Sequence, residues 1–433
     1  MMFDSLAIPS PKRNRRLQVG WEGFFPYYAG YPEAFASDII SSARLAPRAV
    51  VLDPWNGSGT TIYAARNHGH LGIGLDLNPV MIAVARARLL PPSEADSLEP
   101  LGQKLIDHCD VPVTLPADDP LLSWFDHETA RHVRAIEQAI SSSLVGRFTI
   151  SERGADLDRL SSIASAFYVA LFAVARSASV TFRSSNPTWW RRAKSAEELV
   201  HVRDDELRST FLSQIRGMAE ALSKCADDHP LKCTFAEARL ADSTSFFAGE
   251  ATVDFVLTSP PYCTRIDYAV ATQIELAVLN GLIRSDVHAL GRRMIGSTRV
   301  PSQPIEYDNQ WGTTCRDFLE KVRLHPSKSS AGYYLKTHLD YFDKMSRSIS
   351  RISSVLKDGA AAIFVVQDSH YKDIHNNLPA VLVEMAASRN LQLMRREDFT
   401  VHRTMAAIHP HATGRTNRLG TVESVLCFQR GDR

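Results

Sequence analysis

Residues 49–61 read Ala49-Val50-Val51-Leu52-Asp53-Pro54-Trp55-Asn56-Gly57-Ser58-Gly59-Thr60-Thr61. The first five are an apolar run closing on an acid, the pattern of a buried strand that delivers a carboxylate at its C-terminal tip. Glycines at 57 and 59 let the backbone turn tightly and approach a ligand where a Cβ would collide. Helix-compatible residues Ile62 to Asn67 follow. The N–H groups at the start of that helix suit a carboxylate or phosphate. His68-Gly69-His70 punctuates the chain, Leu71-Gly72-Ile73-Gly74-Leu75 reads as a second strand, and Asp76 stands at its tip. Strand, glycine turn, helix, strand, acid is the first half of a doubly wound α/β sheet, and the second acid is placed to accept from both hydroxyls of a ribose.

A Gly-x-Gly turn alone leaves nicotinamide and flavin cofactors open. The spacing disfavours them. The third glycine of Gly-x-Gly-x-x-Gly is missing, and Asp53 is ill placed beside a pyrophosphate but well placed beside the ammonium of a methionine moiety. A second motif narrows the choice. The strand Val253-Asp254-Phe255-Val256-Leu257 feeds directly into Thr258-Ser259-Pro260-Pro261-Tyr262. Adjacent prolines fix φ and remove two N–H donors, leaving a rigid turn of acceptor carbonyls. An exocyclic amine awaiting a methyl group needs such acceptors on its hydrogens, so that its lone pair faces the donor. Ser259 adds a hydroxyl, and Tyr262 an aromatic face for an unstacked base. Direct methyl displacement is work of positioning and electrostatics. Cys263 therefore reads as a small packing residue rather than a nucleophile.

With both motifs in view, the chain resembles the amino-methyltransferases of bacterial restriction–modification and related defence systems, over residues 20–92 and 236–433. Phe25-Pro26-Tyr27-Tyr28-Ala29-Gly30-Tyr31 is similar to the family's cofactor-side segment His-Pro-Tyr-Pro-Ala-Lys-Phe, with Gly30 at the Lys position. Asp53 to Gly59 resembles its Asp-Pro-Phe-x-Gly-x-Gly loop, with Trp55 replacing Phe. Ala241-Asp242-Ser243 resembles the step whose acid meets the adenine amino group. The resemblance implies S-adenosyl-L-methionine as cofactor. Tyr27, Asp53, Pro54, Trp55, Gly57, Gly59, Thr60, Asp76 and Asp242 would bind it, and Ser259, Pro260, Pro261 and Tyr262 would be catalytic. A leading Ser is commoner in cytosine-N4 enzymes than in adenine-N6 ones, so cytosine of double-stranded DNA is the expected target. A restriction or defence-system nuclease is the expected further partner. An RNA or guanine amino-methyltransferase, and a non-catalytic nucleic-acid-binding protein on the same scaffold, are the alternatives.

The rest of the 433 residues is read outward from these motifs. The expected fold class is α/β, a Rossmann-like class I methyltransferase sheet with a large, mostly helical insertion. Residues 1–20 read as a basic flexible arm, 21–92 and 236–433 as the catalytic domain, and 93–235 as the insertion, with target recognition as its role. Within it, Arg183, Asn186, Arg191 and Arg192 surround Trp189 and Trp190; with Arg403 and Arg415 of a late basic loop they are the expected DNA contacts. Residues from about 285 to 330 read as a long mobile loop. Formal charge is +1, which excludes a polycationic coat but not a basic face. Six scattered cysteines without a Cys-x-x-Cys pair point to a reducing cytoplasm and away from a disulfide framework or structural zinc. No metal and no membrane segment are expected, and the sequence assigns no oligomeric state.

Overall fold

The computed structural model describes residues 2–12, 24–25, 30–109, 113–145, 150–151, 154–155, 157–184, 189–225, 235–246, 249–263, 266–283, 286–299, 304–401 and 421–432. Among them, seven strands form the main sheet: β1 (Val50–Asp53), β2 (Leu71–Asp76), β3 (Ala236–Leu240), β4 (Val253–Thr258), β5 (Leu356–Gln367), β6 (Leu391–Val401) and β7 (Thr421–Arg430). Their spatial order is β6-β7-β5-β4-β1-β2-β3. Strands β3, β2, β1, β4 and β5 are parallel, and β7 is antiparallel to both of its neighbours. This is a mixed α/β, Rossmann-like sheet, as the strand–turn–helix reading of residues 49–76 requires.

The long helices are α1 (Glu33–Ser42), α2 (Thr60–Asn67), α3 (Pro79–Arg88), α4 (Ala95–Asp107), α5 (His127–Leu144), α6 (Ser162–Ala178), α7 (Asp204–Cys225), α8 (Gln273–Leu279), α9 (Val287–Arg293), α10 (Thr313–Leu324), α11 (Leu335–Val355) and α12 (Leu378–Ala387). They explain why the central strands β1, β4 and the second half of β5 are nearly continuous apolar runs instead of alternating. Val51, Phe255, Leu257 and Ile363 pack against Phe35 and Ile39 of α1 and Ala64 of α2. Their chain neighbours Leu52, Val256 and Phe364 point the other way, into a core with Phe342 and Ile349 of α11 and Leu382 of α12. A strand covered on both faces has no side on which polar residues are favoured.

Residues 93–235 contribute α4 to α7, and these share one core with the sheet's own helix: Phe167, Leu171 and Phe172 of α6 lie in the same cluster as Val80 and Val84 of α3. The two helices run in opposite directions, because Arg86 near the end of α3 donates to Leu160 O just before α6 begins, at 2.8 Å. A buried polar knot fixes α5 to α8. Arg134 donates to Ala277 O at 2.9 Å and Val278 O at 2.8 Å, while pairing with Asp119 and Glu137.

The mobile-loop expectation for 285–330 is corrected. That stretch carries α9 and α10, and Trp311, Cys315, Phe318, Leu319 and Val322 are buried in the core. Cys315, Phe318, Leu319 and Val322 have the i, i+3, i+4, i+7 spacing of one helix face, masked in the sequence by flanking Gly, Pro, Ser and charge. The helical stretch that follows β4 is in two pieces. A turn of helix at Tyr268–Ala271 stops at Thr272, and α8 starts anew at Gln273.

Candidate active site

Chain order reverses between β1 and β4, since β2 and β3 extend the sheet to one side and β5 to the other. A ligand crevice belongs at the C-terminal ends of two such strands. Residues Val51 and Leu52 lie in register with Phe255 and Val256, so Asp53 and Ser259 emerge at neighbouring tips. One cavity opens there, about 1210 Å³ with the space at its mouth counted. Small-molecule sites are typically roughly 300–1,000 Å³, so the space exceeds the need of one small cofactor. It is lined by Asp53, Pro54, Trp55, Gly57, Thr60 and Asp76 on one wall and by Ser259, Pro260, Pro261 and Tyr262 on the other.

The first wall is held by its own short loops. Gly57 (φ +49) donates its N–H to Asp76 Oδ2 at 3.0 Å, and Asn78 N donates to Asp76 Oδ1 at 2.8 Å. Asp53 accepts from Trp55 N at 3.1 Å and from the hydroxyls of Thr61 at 2.5 Å and Thr258 at 2.6 Å. Tyr31 OH lies 2.6 Å from that Thr61 oxygen. Burial is the dominant influence on both acids and lifts each to about 6, the hydrogen bonds pulling back only part of the way. Gly59 sits at φ +83 as the N-cap of α2, and a Cβ there would meet the Ala85 Cβ at 2.9 Å. Its part in the wall is to let α3 approach.

The second wall is braced from outside. Tyr341 on α11 donates its hydroxyl to Pro261 O at 2.9 Å, and Tyr262 N donates to Tyr268 OH at 3.2 Å. Burial raises both phenols, so they stay protonated as fixed braces. Cys263 is buried with its Sγ 3.5 Å from His338 Nδ1. Burial lowers His338 to about 4, so it is neutral near pH 7 and offers no positive charge to stabilise a thiolate.

Other residues marked in the sequence fall elsewhere. Asp242 directs Oδ1 to Thr244 N and Oγ1, at 2.9 and 2.7 Å, capping its own turn; the cavity lining takes its neighbours Ala241 and Ser243. Ser243 Oγ accepts from Trp55 Nε1 at 2.9 Å, which sets the Trp55 ring. Arg183 and Arg192 are exposed. Arg191, also exposed, is paired with Glu198 and lies over the Phe182 ring. Trp190 is buried, whereas Trp189 is 45% exposed. Tyr27, Asn186, Arg403 and Arg415 lie outside the described residues.

Sequence reasoning passed over Tyr31, Tyr268, Tyr341 and Arg176. The first two sit in or beside segments already singled out. Tyr341 and Arg176 carry no local signal, because each is one polar position on a long helix whose relation to the cavity exists only after packing.

A Rossmann-like sheet with an acid at each of two strand tips and a proline turn facing them is the arrangement expected of a methyltransferase that uses S-adenosylmethionine. The residues present fit that group: two buried acids that would answer an ammonium and a ribose line the cavity together with the glycine turn at Gly57. A family model described as DNA methylase, of the N6/N4 type, matches residues 3–87, which hold α1, β1, the glycine turn, α2, β2 and nearly all of α3. Over this stretch the chain is similar to DNA amino-methyltransferases. Two curated relatives, each named Type II methyltransferase M.AvaI, come from Nostoc sp. (strain PCC 7120 / SAG 25.82 / UTEX 2576) and from Anabaena variabilis. Each is 28% identical over 145 residues, a stretch covering 31% of this chain and 30% of the relative. The match thus spans less than a third of the relatives' own length. Among the described residues, no helix is long and apolar enough to cross a membrane.

Proposed function

We propose that the protein methylates an exocyclic amine of a base in double-stranded DNA, with cytosine N4 as the target and adenine N6 as the second choice. The observation that carries this reading is the shared cavity: the turn at Gly57 and the turn at Pro260 border the same space. A base paired in a duplex cannot reach such a recess, so the target nucleotide must leave the stack.

When bound, S-adenosylmethionine supplies an activated methyl group on a sulfonium. The chain's own residues do the rest by positioning. Asp76, pinned by Gly57 N and Asn78 N, holds the ribose hydroxyls. Asp53 lies at the methionine end, its charge kept by the Thr61 and Thr258 hydroxyls. Tyr341 already occupies the Pro261 carbonyl, which leaves the Ser259 hydroxyl and the Pro260 carbonyl as acceptors for the two amine hydrogens. Tyr262 offers its ring to the base. Ser259 at the head of the turn is the reason for placing cytosine ahead of adenine. Arg183, Arg191 and Arg192, with Asn186, Arg403 and Arg415, are proposed DNA contacts, and the segment 93–235 a target-reading element on the catalytic scaffold. A restriction-type nuclease is the proposed partner and the cytoplasm the proposed compartment.

The test is incubation of purified protein with varied unmethylated DNA and labelled S-adenosylmethionine, followed by digestion to nucleosides and mass spectrometry. N4-methylcytosine is expected. N6-methyladenine would overturn the cytosine choice, and label appearing only in RNA would overturn the DNA reading.

A further inference from the structure

We infer that Arg176, near the C-terminus of α6, takes the carboxylate of the bound cofactor, so that the helical segment between the two parts of the sheet completes the methyl-donor site. This rests on the cofactor reading above. S-adenosylmethionine carries an ammonium and a carboxylate at one end. Among the described residues, the charged side chains lining the cavity are Asp53, Asp76 and Arg176, and of these Arg176 is the cation available for that carboxylate. An anion buried beside two acids without a cation would meet repulsion as well as lost hydration.

The guanidinium is prepared for such a role. Its Nε donates to Glu275 Oε1 at 2.5 Å, and Nη2 donates to Ala271 O at 3.2 Å. It is held between the rings of Phe25 at 5.1 Å and Trp190 at 5.5 Å. The Nη1 amino group has no hydrogen-bond partner among the described residues, and the side chain borders the cavity while 16% exposed. A planar fork can bond Glu275 on one edge and a second carboxylate on another, which a lysine point charge cannot do in the same geometry. Since these contacts already immobilise the side chain, little rotamer entropy remains to be lost on binding.

Position agrees with charge. Helices α6 and α3 are antiparallel, which puts the C-terminal end of α6 beside the start of α3, where Met81 also lines the cavity. Thr60, at the start of α2, lines the same cavity but meets α3 at its other end, where Arg88 Nη1 donates to Thr60 Oγ1 at 2.9 Å, so Arg176 and the N–H groups of α2 face the space from opposite ends of α3.

Isothermal titration with S-adenosylhomocysteine, its decarboxylated analogue and methylthioadenosine tests the inference without turnover. Wild-type protein is expected to prefer S-adenosylhomocysteine over the decarboxylated analogue by about 10- to 100-fold, the range of a charge-assisted hydrogen bond. Arg176→Gln should erase that preference while leaving methylthioadenosine within about twofold, which also reports an intact fold. Arg176→Lys should restore part of it. Equal weakening of all three ligands would mean a purely structural role and overturns the inference. So does an unchanged preference, including the case in which the variant loses only DNA affinity and the cation serves a phosphate. Failure of wild-type protein to bind S-adenosylhomocysteine at all sinks the cofactor reading itself, and this inference with it.

Discussion

The two walls of the cavity face one another but are built over different distances along the chain. On the glycine side, Trp55 N reaches Asp53 two residues back, and Gly57 N reaches Asp76 nineteen residues on. On the proline side, the Pro261 carbonyl is held by Tyr341, eighty residues away. The bonds that tie the walls together, Thr258 to Asp53 and Thr61 to Leu257 O, span 205 and 196 residues. A wall closed by local bonds depends on backbone conformation. A wall braced by distant helices depends on how those helices pack, so the two should fail in different ways.

The largest effect is expected at Gly59. Valine there must hold φ +83 and place its Cβ against Ala85. The left-handed backbone costs about 1–2 kcal/mol and the overpacking about 1–3 kcal/mol, so a clear fall in thermal midpoint should accompany loss of cofactor binding. A normal melting curve with normal binding would show that the local wall tolerates what its geometry forbids. Next is Asp76→Ala, which removes the proposed ribose acceptor and strands two backbone donors. Cofactor affinity measured by titration calorimetry should fall roughly 100-fold.

Acid should weaken the same wall reversibly. Asp53 and Asp76 both titrate at about 6 through burial. The cofactor needs them ionised, so its affinity should be full above pH 6 and drop by up to about tenfold per pH unit for each acid below it. The fold responds with the opposite sign. A carboxyl whose folded pKa lies above its unfolded value adds stability that is complete below the unfolded value and lost as pH rises through 6. Affinity that falls between pH 6 and 5 while the melting temperature holds would separate titration from unfolding; a parallel fall in both would not fit. The smallest effect belongs to the braced wall. Tyr341→Phe leaves the Pro261 carbonyl without its donor and should lower kcat by about tenfold, with cofactor affinity unchanged. An equal change in both would mean that Tyr341 supports the whole pocket.

This contrast also explains what was legible in advance. Asp53, Gly57 and Asp76 lie within one strand–turn–helix–strand unit, whose turn and periodicity are local properties. Ser259 to Tyr262 were legible because proline fixes its own φ wherever it stands. By the same logic α10 was missed: its buried face, Cys315 to Val322, is short and set among turn-forming residues. Asp242 was read as a ligand by resemblance, whereas the hydroxyl and N–H of Thr244, two residues on, occupy one of its oxygens.

Local chemistry in the chain thus determined the strand tips, the acids they carry and the rigid acceptor turn, since each depends on residues close together in sequence. The tertiary structure alone decided that the two turns share a space, that Tyr341 takes one of the two proline carbonyls, and that Arg176 enters the cavity from α6. Those relations come from packing α3, α6 and α11 onto one sheet, and contacts between residues many turns of helix apart leave no periodic trace in the sequence.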